Sequence, residues 1–257
     1  MKHIVLLGDS IFDNSAYVGF DQEDVPSQLK SMLNDDFKVT NLAVDGDVTE
    51  DITDQLNKMP SDATHLFLSI GGNDGLSQLS ILNESVRTVG DALQKMYVIG
   101  EAFKETYSEM MDRVLKYKLP TAVCNIYYPK FHSQSLNRVV TYLPLLVNGE
   151  VLQQMAMSAE TVFNDIIMHE VFIRNLPLID LRILCNEDED FANPIEPSSI
   201  GGFKIASTIK KVVENHSFDN KNITSTVYAN WFFIKKYAEN VELNRGGKIA
   251  PSYVDSI

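Results

Sequence analysis

Apolar residues gather in five short runs along the chain: Ile4 to Leu7, Phe37 to Val44, His65 to Ile70, Thr121 to Tyr127 and Leu178 to Leu184. Between them the apolar positions change period. Val25, Leu29, Met32 and Leu33 recur at helical spacing after the first run, and Ile52, Leu56 and Met59 after the second. A longer helical pattern passes through Val89, Leu93, Met96, Phe103, Tyr107, Met110 and Val114 before Pro120 leads into the fourth run. Val162, Phe163, Ile166, Ile167 and Val171 mark another helix, and Ile205, Ile209 and Val212 a last one. Asp47 followed by Glu50 reads as a capping box opening the second helix, which Pro60 ends.

Short buried runs alternating with helices are the pattern of βαβ units, whose strands lie parallel and are covered on both faces. The expected architecture is α/β: a flavodoxin-like three-layer α/β/α sandwich on a five-stranded parallel sheet, occupying residues 1–217. Right-handed crossovers then bring every strand-to-helix loop to one edge of the sheet, where a site belongs. Residues 218–257, with Tyr228, Trp231, Phe232, Phe233 and Tyr237, read as a C-terminal appendage packing on that domain.

Composition narrows the partners. A net charge of −13 repels nucleic-acid phosphates, so DNA and RNA are not expected partners. No apolar run approaches the ~18 residues of a membrane helix, and no integral membrane segment is expected. The first strand starts almost at the first residue, without the longer apolar region of a secretory signal. The expectation is a cytoplasmic protein, or one exported without an N-terminal signal peptide. Cys124 and Cys185, the two cysteines, read as reduced structural thiols at strand ends. His, Cys and acidic residues do not recur at ligand spacing, so neither a metal nor another cofactor is expected. The acidic run from Glu187 to Asp190 reads as a solvated loop. Oligomeric state is not readable.

Polar clusters fall at four of the strand ends: Gly8-Asp9-Ser10, Asp45-Gly46-Asp47, Gly71-Gly72-Asn73-Asp74 and, after the fifth run, Asn193-Pro194-Ile195-Glu196-Pro197-Ser198. Acyl transfer needs a nucleophile and preorganised donors for the oxyanion formed on attack. A serine at a strand-to-helix turn offers its oxygen and its own amide. A glycine lets a second amide approach closely, and an asparagine side chain gives a third donor. The bland roles of the same residues are helix capping by Asp9 and Ser10 and ordinary turns at Gly46 and Asn73. Asp13 and Asn14 read as holding the first loop together.

In this order and at these strand ends, Gly8-Asp9-Ser10, Gly46 and Gly71-Gly72-Asn73-Asp74 resemble the first three blocks of the SGNH/GDSL hydrolases, the esterase- and lipase-like superfamily. The resemblance implies that Ser10 is the nucleophile and that the Ser10 amide, the Gly46 amide and the Asn73 side chain form the oxyanion hole. Asp9 and Asn193 would support them. The last block departs from the family pattern. Where that pattern carries an aspartate followed three residues later by the catalytic histidine, this chain has Asn193 and Glu196, aligned by the Pro197-Ser198 that follows.

The expected activity is hydrolysis of an acyl or acetyl ester by Ser10, with Glu196 as a non-standard base. A carboxylate does this at neutral pH only if burial raises its pKa from ~4.3 toward ~6 to 7. Of the histidines, only His132, in the segment after the fourth run, lies on the catalytic edge, and it is the alternative base. The substrate would be a small-molecule or conjugated ester. The alternative function is a catalytically impaired binding protein that keeps the pocket on the same fold. A nucleotide or phosphate binder using the Asp9 to Ser15 loop is disfavoured by the absence of a glycine-rich cradle and the presence of two acids there.

Overall fold

The computed structural model describes residues 1–131, 149–218 and 226–229. Strands β1 (Lys2–Gly8), β2 (Phe37–Asn41), β3 (His65–Ser69), β4 (Thr121–Cys124) and β5 (Leu178–Ile179) lie in the sheet order β2-β1-β3-β4-β5. All their pairings are parallel. Among the described residues the sheet has six strands rather than the expected five. The sixth, β8 (Val227–Tyr228), pairs parallel with β5 at the edge. With only two residues in the ladder, it makes no apolar run by which the sequence would announce it. Trp231, Phe232, Phe233 and Tyr237 lie outside the described residues.

The helices cover both faces. On one side α1 (Val25–Met32) and α7 (Ser199–Asn215) pack on Ile4, Leu6 and Phe67. On the other, α4 (Val89–Leu115) and α5 (Gly149–Ile173) pack on Val5, Leu7, Leu66 and Leu68. Successive residues of β1 and β3 therefore serve opposite layers, as the two-residue period of a strand requires. Because both faces are buried, these strands are apolar throughout instead of alternating. Asp24 caps α1 by accepting from the Ser27 amide at 2.9 Å, and Thr88 with Asp91 forms a capping box on α4.

Three local readings change. The fifth apolar run divides: β5 stops at Ile179, Asp180 caps a helical turn, α6 (Leu181–Leu184), and Cys185 follows that turn instead of ending a strand. Cys124 and Cys185 are both free and buried. The Asp47–Glu50 capping box is not formed. A 3₁₀ turn, Thr49–Asp51, precedes α2 (Ile52–Leu56), and it is Asp51 that accepts from the Val48 amide at 2.9 Å, while the Asp47 carboxylate is taken by Gln55. The acidic run is only partly solvated, since Asp190 is fully buried and pairs with Lys204 of α7 at 2.7 Å.

Candidate active site

The polar clusters converge at the C-terminal ends of the strands, and the connections there are braced across the sheet. β1 outlasts β2: the last β1 residue paired in the β2 ladder is Leu6, opposite Asn41. Beyond that point the chain following β2 still reaches Gly8, the Val44 amide donating to its carbonyl at 3.1 Å, but it gives the Gly8 amide no acceptor. Gln55 of α2 fills the place, accepting from the Gly8 amide at 2.8 Å and donating to the Gly8 carbonyl at 2.7 Å. The same side-chain amide donates to Asp47 at 2.7 Å. Gly8 itself cannot carry a side chain, because a Cβ there would lie 1.9 Å from the Ser69 carbonyl oxygen and its φ is +144°.

Asp9 and Ser10 follow. The Asp9 carbonyl accepts from the amides of Phe12 and Asp13 at 3.1 and 3.0 Å, and its carboxyl accepts from Ile11 at 3.1 Å, which winds the chain into a turn with Ser10 at its start. Asp9 thus caps this turn, and α1 begins only at Val25. The rest of the loop is fixed from both sides. Asp13 accepts from the Asp45 amide at 3.0 Å, and the fully buried Asn14 accepts from Val25 at 2.9 Å while donating to the Pro197 carbonyl at 3.3 Å.

Gly46 sits in the turn between the clamped residues Asp45 and Asp47, with φ +88°, a conformation that favours glycine. On the far side Asn73, in α3 (Gly72–Ser77), donates through Nδ2 to the Asp47 carbonyl at 2.9 Å. One of its two amide hydrogens is thereby used and one is left. Asp74 accepts from the Thr49 amide at 3.0 Å, so Asn73 and Asp74 both hold the loop that carries the second cluster.

Glu196 arrives from the other side, on a hairpin of β6 (Phe191–Asn193) and β7 (Glu196–Pro197). Asn193 shapes the turn: its Oδ1 accepts from the amides of Ile195 and Glu196 at 3.0 and 3.1 Å, so it braces backbone instead of the Glu196 carboxyl. The Tyr127 hydroxyl donates to the Ile195 carbonyl at 2.7 Å. Behind the hairpin, Ser198 caps α7 and its amide donates to the Asp190 carbonyl at 2.8 Å.

Asp9, Ser10, Asn73 and Glu196 all line one cavity of about 100 Å³ whose walls are otherwise mostly apolar, with Ile126, Tyr127, Phe131 and Phe163 prominent. Gly46 and Asn193 do not line it. His132 lies outside the described residues. The other four histidines do not line the cavity. His3 bonds Asp62 and Thr40, each at 2.8 Å, His65 bonds Thr64, His216 bonds Tyr228, and His169 is exposed on α5.

Burial dominates the electrostatics. It pushes the Glu196 carboxyl up to about 7, opposed by the neighbouring Ser10 side chain, which favours the charged form. The second oxygen of Glu196 is buried and has no hydrogen-bond partner among the described residues. Asp9 is pushed up to about 8, again chiefly by burial, with the nearby Glu196 and Asp74 adding to it. A third lining carboxyl, Glu160 of α5, is raised to about 9 by burial. At neutral pH the cavity therefore holds carboxyls that are largely protonated or poised near half-ionisation.

Gln55, Glu160 and Asn164 were not singled out by the sequence. Asn164 carried a signal, since it falls in helical phase with the buried Ile167 and Val171, where a polar residue demands a partner.

A family model for GDSL-like lipase/acylhydrolase proteins matches residues 4–200, and the chain belongs to that family. Solved structures agree in fold. A lipase from a goat rumen metagenome, Lip_vut3, is 16% identical with a TM-score of 0.59, covering 82% of this chain and 97% of its own. Phospholipase A1 from Streptomyces albidoflavus is 15% identical with a TM-score of 0.55, covering 81% and 99%. A lipase/acylhydrolase from Enterococcus faecalis is 18% identical with a TM-score of 0.52, covering 82% and 95%. No curated protein matches the chain. Family and fold together define an ester hydrolase of the SGNH type, and no described helix is long and apolar enough to cross a membrane.

Proposed function

We propose that the protein hydrolyses a small or conjugated acyl ester with Ser10 as nucleophile and Glu196 as general base. The observation that carries this reading is the Glu196 carboxyl beside the Ser10 hydroxyl, buried enough to titrate at about 7. A base works best when its pKa lies near the working pH, because both the fraction ionised and its basicity count. In this reading Ser10 Oγ attacks the ester carbonyl carbon while its proton passes to Glu196. The Ser10 amide and the free hydrogen of Asn73 Nδ2, both at the cavity, hold the resulting oxyanion, while the Gly46 amide stands outside the cavity lining and joins them only if its loop shifts toward the substrate. Collapse releases the alcohol, which takes the proton back from Glu196. Water then attacks the acyl-enzyme by the same route and frees the acid.

One observation favours a second reading, a binding protein on the same fold. Asn193 spends its oxygen on backbone, and the second Glu196 oxygen has no partner among the described residues, so none of these plays the orienting part that the third member of a triad plays.

The deciding experiment is covalent labelling by a fluorophosphonate together with the pH dependence of kcat/KM on an activated ester. Labelling should occur in wild type and vanish in Ser10→Ala. The rate should rise with pH through an ionisation near 7, since the base acts deprotonated, and Glu196→Gln should remove that ionisation and lower the rate by about 10² to 10⁴. An acid limb that survives in Glu196→Gln but is lost in His132→Ala would transfer the role to His132. Folded protein that neither labels nor turns over would leave the binding reading.

A further inference from the structure

The Glu160 carboxyl has no part in the chemistry proposed for Ser10, yet it stands in the wall of the same cavity. Its placement is built from several elements. Asn164, wholly buried one turn further along α5, is fixed by two bonds to Ile126 beyond β4, accepting from its amide at 2.9 Å and donating to its carbonyl at 2.9 Å. The remaining hydrogen of Asn164 Nδ2 goes to Glu160 Oε1 at 3.0 Å. Both amide hydrogens are thus committed, and the carboxyl is locked by one oxygen. The other oxygen takes no hydrogen bond from any described residue. The nearest cation acting on it, Arg182, is held by Asp180 at 2.6 Å instead.

A half-buried carboxyl locked by one oxygen, with the other unused in a wall shared with Ala156, Ala159 and Phe163, is a polar group available to whatever enters the cavity. We infer that Glu160 is a specificity residue, whose free oxygen hydrogen-bonds an uncharged oxygen, such as an ether, hydroxyl or carbonyl, on the portion of the ester that fills the cavity. Two features favour a neutral group over a cation. The carboxyl is pushed up to about 9, so it is protonated at neutral pH and ready to donate. A cation would also have to be stripped of water against a wall with little polarity to replace it. The inference rests on the hydrolase reading for its substrate but not for its measurement.

The test uses p-nitrophenyl esters of a straight-chain acid, of its isosteres with an ether oxygen stepped along the chain, and of an isostere ending in a quaternary ammonium. Wild type should prefer one ether ester over the plain ester in kcat/KM by about threefold to tenfold, the net worth of a single hydrogen bond. Glu160→Gln should keep that ratio, since its oxygen still faces Asn164 and its amide still donates. Glu160→Leu should abolish or invert it. An unchanged ratio in Glu160→Leu overturns the inference. A preference for the ammonium ester that Glu160→Gln removes also overturns it, assigning a charged anchor instead. If wild type turns over none of these esters, the hydrolase reading fails, and the N-methyl amides of the same acids are compared by ligand-observed NMR. Selective binding of the ether amide, lost in Glu160→Leu, still upholds the role of Glu160. Equal or absent binding of both amides rejects it.

Discussion

The two sides of the cavity are held by different means. On the side of Ser10 and Asn73, hydrogen bonds cross from loop to loop: Gln55 to Gly8 and Asp47, Asp13 to Asp45, Asn73 to Asp47, Asp74 to Thr49. On the side of Glu196, a short hairpin rests on Asn193, on Tyr127 and on a buried ion pair between Asp190 and Lys204, and the second oxygen of the Glu196 carboxyl has no partner among the described residues. The contrast has a chemical reason. Oxyanion donors must stand still before charge develops, so redundancy serves them. A carboxylate that is to act as a base near neutrality must not be saturated with donors, because each one lowers its pKa. Asp180 shows the other outcome on the same fold: Arg182 and Asn125 donate to it and hold it below the usual carboxylate range despite burial.

The largest effect should come from breaking the ion pair beneath the hairpin. Lys204→Met leaves the fully buried Asp190 uncompensated, and unfolding by denaturant should show a loss of about 3–5 kcal/mol. Asp190→Asn combined with Lys204→Met should recover much of it, since the charge is then gone. If the single variant were neutral, the base side would have to be held by something other than this pair.

On the opposite side, Asn73→Ala should lower kcat by about 10² to 10³ with a smaller change in KM, the signature of a donor used mainly in the transition state. A change confined to KM would reduce Asn73 to a binding contact. Gln55→Leu, which strips the Gly8 amide of its acceptor, should cost about 1–3 kcal/mol of stability. Its effect on kcat should exceed that of an equally destabilising change in α4, measured below the unfolding transition of each variant.

The smallest effect is a pH slope. Asp9, Glu160 and Glu196 have folded values of about 8, 9 and 7, above their unfolded values. The folded state then binds more protons than the unfolded one between these limits, so the stability they lend is present at low pH and lost as pH rises. Tm should fall between about pH 5 and 8, and fall less steeply in Glu160→Gln. A flat profile in wild type would mean that these groups are better solvated than their burial implies.

Much of this was legible from residue order alone. The layered parallel fold follows from apolar runs and helical periods, and the position of Ser10 and Asn73 follows from right-handed crossovers, which leave strand ends nowhere else to go. What stayed hidden depends on contacts distant in sequence. Gln55 reads as any polar helix residue until β2 is seen to end before β1. Asp190 reads as part of a solvated acidic run because its burial is decided by α7 folding against it, and Glu160 draws no notice until α5 is seen to wall the cavity. The split of Leu178 to Leu184 turned on Asp180, whose capping role competes with continuing the strand.

β8 also bears on how the molecule is made. The backbone of β5 is completed on its outer side by Thr226 and Tyr228, whose carbonyls accept from Leu178 and Asp180 at 2.9 Å each. During synthesis from the N-terminus, 48 residues after Asp180 must therefore be added before that edge can be paired, counting to Tyr228. Until then the nascent sheet carries an open rim of the kind that recruits other strands. The interval includes α7, so the helix that covers one face is synthesised before the strand that pairs with β5.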